Sequence, residues 1–244
     1  MEFHQEPTFE RQERQEIYDL VERHGRVDYE EARQDLRMDH EMFGHHVAML
    51  VRDGALKRTD EGALEVAFES GAVEEYEVDD TLFCIRQARQ DDLTGLIGAI
   101  RSTTETAPYV EAESVADIVE NEATLLRHNE VETRVFFVAT VDGDVVGWAG
   151  VKGNELAKLA HTAELTVGVV DQYQGHGIGS HLLVRGVGWA AANGYDRVYN
   201  SVPATNEAAV EFLEDHGWEL EAVREGHYRI DGEPVDELML AVEV

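Results

Sequence analysis

A strand, a glycine-rich turn and a helix follow one another over residues 164–194, and this stretch constrains the fold more than any other part of the chain. Leu165, Val167, Val169 and Val170 are apolar and mostly β-branched, which is typical of a buried strand. Three alternating glycines follow, and apolar residues then recur at helical spacing until an Asn-Gly pair ends the pattern. A glycine turn that opens a helix leaves backbone N–H groups unpaired and aligned with the helix dipole. The stretch therefore predicts an anion site, most often for a phosphate or pyrophosphate.

The spacing of the turn excludes two common phosphate-binding motifs. Residues 174–179 read Gln-Gly-His-Gly-Ile-Gly, which does not fit the G-x-G-x-x-G of dinucleotide sites, and no acidic strand end is placed to meet a ribose. A P-loop is excluded because no Gly-Lys-Ser/Thr occurs. What fits is Gln-x-x-Gly-x-Gly at Gln174, Gly177 and Gly179, after a strand that carries Glu164. This pattern resembles the acetyl-CoA loop of the GCN5-related N-acetyltransferase (GNAT) superfamily. A glycine-rich turn without a ligand is the alternative.

Composition and cysteine content indicate the class of protein. The 244 residues suffice for one large domain or two small ones, and no apolar run approaches the length of a membrane span. The first residues are charged and lack the apolar core of a signal sequence. Cys84 is the single cysteine, which excludes an internal disulfide framework and a cysteine-based metal cluster. We therefore expect a protein of the reducing cytoplasm that has no membrane partner.

The net charge of −31 is extreme for a chain of this length. Lys57, Lys152 and Lys158 are its only lysines, and the acidic residues are spread along the whole chain. This dispersal resembles the surface of a protein from an extreme halophile, such as a halophilic archaeon, where salt screens the repulsion between like charges. An acidic face for a basic partner is the alternative. Because the charge is so general, it identifies no partner by itself.

Residues 9–68 form a pattern of their own. A first amphipathic helix ends at His24-Gly25, and Asp28 and Asp39 are placed to cap a second and a third helix. Two short alternating runs joined by residues 60–62 suit a hairpin. Three helices followed by a hairpin resemble a winged helix-turn-helix module.

The chain divides into two domains on this basis. We place the small winged-helix-like α+β domain at residues 1–75, an acidic linker over 69–80, and a second domain at 81–244. The predicted elements of the second domain are a strand at 82–86, helices at 91–100 and 114–128, strands at 135–139 and 145–149 joined by Asp142-Gly143, the strand and helix around the glycine turn, a strand at 198–202, a helix at 206–217, and a hairpin of 224–230 with 235–242. This order is that of the GNAT fold.

Two more segments add to the resemblance, which covers about residues 82–244. The segment from Asn206 to Gly217-Trp218 is similar to the Asn-x-x-Ala…Gly-Phe helix of the family, and residues 228–239 resemble its closing hairpin. The resemblance implies an α/β fold with a mixed sheet, acetyl-CoA as cosubstrate without a metal, and direct attack by an amine. A cysteine acyl-enzyme is not expected because Cys84 lies in the first strand of the domain.

The resemblance also implies which residues hold acetyl-CoA. Backbone N–H groups would bind the pyrophosphate, and they belong to Gly175, His176, Gly177, Ile178, Gly179 and Ser180, with Gln174 opening the motif. The pantetheine arm would lie along Val167, Gly168 and Val169. Gly168 is a glycine inside a strand, which indicates a bulge or a close-approaching ligand. Asn206 matches a position that touches the pantetheine or adenosine part, and it could also cap its helix.

Glu164 is the predicted general base, on a strand where the family places such a glutamate. At the start of an apolar strand its carboxylate would be partly desolvated and its pKa raised. His161 is the second candidate. A backbone N–H near Val167 or Val169 would stabilise the oxyanion. The usual tyrosine acid is replaced by Leu213, so the general acid stays open. The weaker candidates are Tyr199, His216, Tyr228 and a bound water.

The acceptor is the part that the sequence determines least. In the family, the acceptor groove is built by the first two helices and the last hairpin. Those segments contain Glu105, Tyr109, Glu111, Glu113 and Tyr228. We expect a protein lysine or N-terminal amine, or else a small amine such as a polyamine, aminoglycoside or amino acid. A homodimer is a further expectation. A transcription regulator with a CoA-ester-sensing domain is the non-enzymatic alternative, although the acidic third helix makes DNA an unfavourable partner.

Overall fold

The computed structural model describes residues 9, 11–67, 73–78, 81–129 and 131–244 of the chain. Its helices are α1 (Gln12–His24), α2 (Tyr29–Asp35), α3 (His40–Arg52), α4 (Leu93–Thr106), α5 (Val110–Glu122), α6 (Ile178–Ala192) and α7 (Glu207–Asp215). Its strands are β1 (Arg26–Val27), β2 (Leu56–Arg58), β3 (Leu64–Val66), β4 (Glu74–Val78), β5 (Thr81–Gln87), β6 (Arg127–His128), β7 (Glu132–Val141), β8 (Asp144–Asn154), β9 (Thr162–Val169), β10 (Arg197–Pro203), β11 (Glu219–Ile230) and β12 (Glu233–Glu243).

Three helices and a small antiparallel sheet make up residues 11–67, which we call the N-terminal unit. In its sheet β3 pairs with both β1 and β2. Asp28 caps α2 and Asp39 caps α3 through side-chain hydrogen bonds to backbone N–H groups. These predicted caps, the three helices and the hairpin are confirmed, although Phe68 lies outside the described residues. β1 is an addition, because a strand of two residues leaves no periodic signal.

The larger sheet has the order β11-β12-β10-β9-β8-β7-β5-β4, with β6 beside β7. Its pairs are antiparallel except for β9 and β10, which run parallel. Leu182 of α6 packs beside Gly147 of β8, whereas Gly150 of β8 shares a cavity with Val115 of α5. Because successive strand residues face opposite sides, α5 and α6 cover opposite faces of the sheet. The predicted mixed sheet is therefore confirmed.

Part of the segment predicted as a linker over 69–80 is a strand. β4 pairs with β5 along its whole length, and Tyr76 stacks on Phe83 with ring centroids 5.3 Å apart. The linker prediction is wrong for β4, because alternating acidic and apolar residues suit an edge strand with one solvated face. Residues 68–72 and 79–80 lie outside the described residues.

The predicted order of elements after residue 82 holds apart from the additional strand β6, and the boundaries of two elements are corrected. The helix predicted over 114–128 is α5, which begins earlier and ends before Ala123 at φ +52°. Residues 127–128 leave the helix and pair with β7 as β6. β11 begins at Glu219 and not at residue 224. The Asp142-Gly143 turn is confirmed, because both residues take positive φ angles of 51° and 94° between paired strands.

α1 is fixed to the larger unit by buried polar groups. Glu22 of α1 is 6% exposed, and its Oε1 accepts hydrogen bonds from the His128 backbone N–H at 3.1 Å and from Asn129 Nδ2 at 3.0 Å. Arg127 Nη1 donates to the carbonyl oxygen of Glu22 at 3.1 Å. These contacts join the N-terminal unit to β6, at the end of α5.

Large apolar side chains fill the core of the larger unit, and Phe137, Ile85 and Trp148 are fully buried. Each such side chain contributes about 1.5–3 kcal/mol to the free energy of unfolding. Within the described ranges, every helix is too short or too polar to cross a lipid bilayer.

Candidate active site

β9 and β10 separate in the middle of the sheet and open a cleft. They pair at three positions, the last of which joins Glu164 to Tyr199. β9 then continues to Val169 and β10 to Pro203 with no further pairing in the part of the chain that the structure describes. Backbone groups on the facing edges are therefore available to a molecule that enters between the strands.

The cleft has a volume of about 550 Å³ and runs from this opening to the glycine turn. It brings together nine of the predicted cofactor-binding residues, namely Val167, Gly168, Val169, Gln174, Gly175, Gly177, Gly179, Ser180 and Asn206. His176 and Ile178 do not line the cleft. The side chain of Ile178 belongs to the core and is 1% exposed, so only the backbone of these two residues is placed for a ligand.

The glycine turn presents a row of backbone N–H groups. Gly175 and Gly177 have φ angles of +82° and +75°, which L side chains rarely adopt, and Gly177 is the residue before the first turn of α6. In the described part of the chain, no acceptor receives a hydrogen bond from the backbone N–H groups of residues 175–180. Because α6 has no side-chain cap, these groups and the helix dipole together favour an anion.

Gly168 is required by a neighbouring indole. A Cβ at Gly168 would lie 2.1 Å from Cη2 of Trp148, its partner on β8. The pairing of β8 with β9 is regular at this position, so the predicted bulge is wrong. The close neighbour that excludes a side chain here is the fully buried ring of Trp148.

Gln174 and Asn206 use their side-chain amides within the protein. Gln174 Nε2 donates to the carbonyl oxygen of Val169 at 3.0 Å, which folds the turn back onto β9. Asn206 Oδ1 caps α7, and its Nδ2 donates to the carbonyl oxygen of Pro108 at 3.1 Å. The capping role of Asn206 is confirmed. Both residues thus shape the cleft through the segments that they hold.

Tyr109 crosses the cleft between the two strands. Its hydroxyl donates to Asn200 Oδ1 of β10 at 3.0 Å and accepts a hydrogen bond from the Val167 backbone N–H of β9. Burial raises the pKa of Tyr109 well above its ordinary value. The sequence placed Tyr109 in the acceptor groove, whereas in the structure Tyr109 lines the cleft beside the glycine turn.

A second cavity of about 520 Å³ lies beside the paired part of β9 and β10. Glu164 and Glu111 line it, and Asn200 lines both this cavity and the cleft. Glu164 is exposed, so the predicted desolvation of its carboxylate is wrong. The expected groove residues Glu105 and Glu113 are also exposed and line neither cavity.

Glu111 is the half-buried carboxylate of this cavity. Tyr228 is 7% exposed, and its hydroxyl donates to Glu111 Oε1 at 3.2 Å. Burial raises the pKa of Glu111, and the charges of Glu164 and Glu237 add to this effect against the opposing Tyr228 hydrogen bond. The site therefore combines an exposed and a half-buried carboxylate.

The candidates for the general acid lie outside the cleft. Tyr199 lines the second cavity, and Tyr228 is held by Glu111. His216 Nδ1 faces the Phe212 carbonyl oxygen at 2.7 Å, so this nitrogen carries the proton. In the neutral ring, Nε2 then accepts from the Ser180 hydroxyl at 2.9 Å. Leu213 is buried in the cleft wall, and His161, the second candidate base, is exposed and lines neither cavity.

The described residues contain no group of three or more His, Cys, Asp or Glu side chains that could hold a metal ion. Sequence reasoning missed Arg134, Arg224, His227 and Glu237 as lining residues of the second cavity. Glu237 was indicated by the sequence, since it and Asp236 are the two acidic residues of the otherwise apolar segment 235–242. The other three were not indicated, because charged residues are frequent throughout the chain.

A sequence model described as the acetyltransferase (GNAT) family matches residues 97–218, which are 122 of the 244 residues. No curated protein sequence matches the chain.

Solved structures with a similar fold include three bacterial proteins. The acetyltransferase of the GNAT family from Streptococcus pneumoniae is 20% identical, with a TM-score of 0.55 over 66% of this chain and 99% of that one. Ribosomal-protein-alanine N-acetyltransferase from Brucella melitensis is 22% identical, with a TM-score of 0.53 over 66% and 99%. The protein yncA from Salmonella typhimurium, solved with its cofactor acetyl-CoA, is 20% identical, with a TM-score of 0.54 over 66% and 93%. At these identities the likeness concerns the fold.

Proposed function

The chain belongs to the acetyltransferase (GNAT) family, and on this premise we propose that it acetylates a primary amine, with Glu164 as general base. It is an acyltransferase, and acetyl-CoA is its cosubstrate. The acceptor that we propose is a lysine or N-terminal amine of a protein, with a small amine as the alternative. The observation that carries the proposal is the row of unpaired N–H groups at residues 175–180, which opens onto a cleft between separated strands.

The residues of the cleft fit acetyl-CoA. The space beside Gly175 and Gly177 is open, so a pyrophosphate can approach the backbone closely. The edge of β9 that faces β10 offers the Val169 N–H to an extended arm, whereas the Val167 N–H on the same edge is held by Tyr109. Phe212 and Leu213 form an apolar wall of the cleft on α7.

The position of Glu164 supports its proposed role as general base. Acetyl-CoA supplies a thioester whose acetyl group passes to the amine nitrogen with release of CoA. Glu164 lines the second cavity at the position where β9 and β10 stop pairing, and Asn200 of β10 lines both this cavity and the cleft. A carboxylate there can take the proton of the ammonium, directly or through a water.

The backbone N–H of Val167 is the proposed oxyanion donor. This group donates to the Tyr109 hydroxyl, so a substrate oxygen can replace that hydroxyl only if Tyr109 shifts. Val169, two residues further along β9, directs its N–H to the same edge of the strand. Tyr109 and Tyr173 are the phenols that line the cleft, and they replace the earlier candidates for the general acid.

The N-terminal unit is proposed to be a winged-helix-like domain that contacts protein and not DNA. The second domain is proposed to begin by residue 73, and not at residue 81, because β4 belongs to the larger sheet. The two cations of β2 are already engaged, because Lys57 Nζ lies 3.3 Å from Glu65 and the Arg58 guanidinium lies 4.2 Å from the ring centre of Tyr29. Molar salt weakens phosphate contacts further. A homodimer is supported by β11, an exposed edge strand on which Val223 is 47% exposed.

Substitution of Gly177 tests the proposal. Gly177→Glu places a carboxylate beside the predicted pyrophosphate site, and we expect calorimetry in molar KCl to detect no acetyl-CoA binding. Gly177→Ala is the control, because it carries the same backbone strain of about 1–2 kcal/mol without the charge. It should bind acetyl-CoA with a moderate loss of affinity. If Gly177→Glu binds as tightly as the alanine variant, the loop is not part of the acetyl-CoA site.

A further inference from the structure

The charged residues that line the second cavity differ in whether they are already paired. The carboxylates are Glu111, Glu164 and Glu237, and the basic side chains are Arg134, Lys152, Arg224 and His227. A charge that is engaged within the protein contributes little to binding a ligand, whereas an unengaged charge in a cavity wall selects its counter-ion. The partners of each group therefore indicate which ligand the cavity admits.

Two of the cations are engaged by carboxylates outside the cavity lining. Arg134 Nη2 lies 2.5 Å from Glu122, and its Nη1 lies 3.4 Å from Glu132. Lys152 Nζ lies 3.7 Å from the same Glu132. The side chain of Arg134 is only 5% exposed, which keeps it within these pairs.

The other two basic side chains, Arg224 and His227, both lie beside Glu237. Arg224 Nη1 and His227 Nε2 lie 3.0 Å and 3.4 Å from Glu237 Oε2. Glu237 is 2% exposed, and neither contact has hydrogen-bond geometry at Oε2, so this buried oxygen accepts no hydrogen bond from the described residues. Arg224 nevertheless lies at ion-pair distance, so the charge of Glu237 is engaged within the protein.

Glu111 and Glu164 are the unengaged charges. Within the described residues, neither has an arginine, lysine or histidine at ion-pair distance, and Glu111 has only the neutral hydroxyl of Tyr228. The two carboxylates are close enough for the charge of Glu164 to raise the pKa of Glu111. An ammonium between them would offset this repulsion and donate a hydrogen bond to each.

Resting on the acetyl transfer proposed above, we propose that this cavity selects acceptors that bear an ammonium and no carboxylate beside it, with Glu111 as the specificity-determining residue. Amino acid amides, peptide N-termini, lysine side chains and polyamines meet this description. Free α-amino acids do not, because their carboxylate would lie near the like charges of Glu111 and Glu164. Each basic side chain of the lining is already beside a carboxylate of the protein and would not offset this repulsion. Val115, Ile118 and Leu159 give the cavity apolar walls for the rest of the acceptor.

Paired acceptors test this specificity in the full-length protein. Leucinamide and leucine differ only in the carboxylate, and both are assayed for acetylation with saturating acetyl-CoA in molar KCl. We expect wild-type kcat/KM to be at least tenfold higher for leucinamide. Glu111→Gln should raise KM for leucinamide roughly ten- to hundredfold, the effect of removing one charge-assisted hydrogen bond, and should leave leucine nearly unchanged.

Glu113→Gln is the matched control, because Glu113 lies in the same helical turn, is exposed and lines neither cavity. It should behave as wild type with both acceptors. Tyr228→Phe should weaken leucinamide in the same direction but less, since it removes the hydroxyl that holds Glu111. Thermal melting of each variant verifies that it is folded.

Three outcomes would overturn the inference. Leucine could prove as good an acceptor as leucinamide, or Glu111→Gln could behave in the same way as Glu113→Gln. If neither acceptor is turned over, the third is that calorimetry detects no binding of leucinamide to the acetyl-CoA-saturated protein. Failure of the proposed function is a different result, because the wild-type protein would then not bind acetyl-CoA at all.

Discussion

Replacing Glu22 by alanine should lower the free energy of unfolding by about 3 kcal/mol. The change leaves the buried His128 N–H without an acceptor, which costs about 1–3 kcal/mol. It also removes the carboxylate that lies 3.7 Å from Arg127 Nη1. Arg127 keeps Glu122 at 3.1 Å, so the cost falls at the lower end of the 3–5 kcal/mol typical of a broken buried pair. For a chain of this size each kcal/mol shifts Tm by about 2–4 °C, which gives a drop of roughly 6–12 °C.

Two probes in one melting experiment can tell whether the two units unfold together. The three tryptophans are Trp148, Trp189 and Trp218, so their fluorescence reports on the larger unit alone, whereas far-ultraviolet circular dichroism reports on both. Because Glu22 joins α1 to β6, we expect both signals to shift together in molar KCl. Glu22→Gln keeps the acceptor oxygen and should cost only about 1 kcal/mol.

Glu16→Ala is the control for helix propensity and charge, since Glu16 lies on the exposed side of α1 and should shift Tm by less than 2 °C. The reasoning is refuted if Glu22→Ala behaves like Glu16→Ala. It is also refuted if circular dichroism shows an early transition that fluorescence does not follow, because the N-terminal unit would then unfold independently. A truncation for the same purpose should begin at residue 73, since a cut at residue 75 would remove part of β4.

Other predictions concern the site and the charge of the chain. Glu164→Gln should lower kcat roughly 10²–10⁴-fold at neutral pH with little change in acetyl-CoA affinity, and a wild-type rate would assign the base to another group. Burial raises the pKa of Glu111 in the folded protein above its ordinary value of 4.5. The stability that Glu111 contributes is therefore fully present when the pH is below 4.5, and it is lost as the pH rises through the folded-state pKa. Glu111→Gln should therefore melt at or above the wild-type temperature at pH 7.5, and a clearly lower Tm there would contradict the burial argument. Stability should fall as KCl is reduced from molar to millimolar, because a net charge of −31 repels itself when unscreened, and a constant Tm would argue against a halophilic surface.

Local patterns were sufficient to predict most of the fold. The caps at Asp28 and Asp39 and the turn at Asp142-Gly143 act through neighbouring residues, so the sequence contains their whole cause. The wrong predictions concern segments whose structure depends on residues that are distant in the sequence. β4 is a strand because β5 and the ring of Phe83 lie beside it, and no pattern within β4 alone reveals that neighbour.

The cleft and the second cavity also differ in how far local sequence determines them. The cleft depends on a contiguous turn, and nine of the residues predicted to bind acetyl-CoA line it. Gly168 was recognised as unusual, but its cause is Trp148, twenty residues earlier in the chain. The second cavity is lined mainly by residues of α5 and of β7 to β12, and the exposure of Glu164 and the partial burial of Glu111 depend on packing between these elements. Burial of a carboxylate cannot be predicted from a sequence in which 51 of 244 residues are acidic.

The high acidic content itself argues that specificity depends on the half-buried carboxylate. At molar ionic strength the Debye length is about 3 Å, so exposed carboxylates on the surface exert almost no attraction on an approaching amine. Partly buried charges are screened much less, because ions and water are excluded from one side of them. Glu111 is half-buried and held by the buried Tyr228, whereas Glu164 is exposed. At molar salt, discrimination between amines should therefore follow Glu111, and Glu164 should act only once the amine is within hydrogen-bond distance.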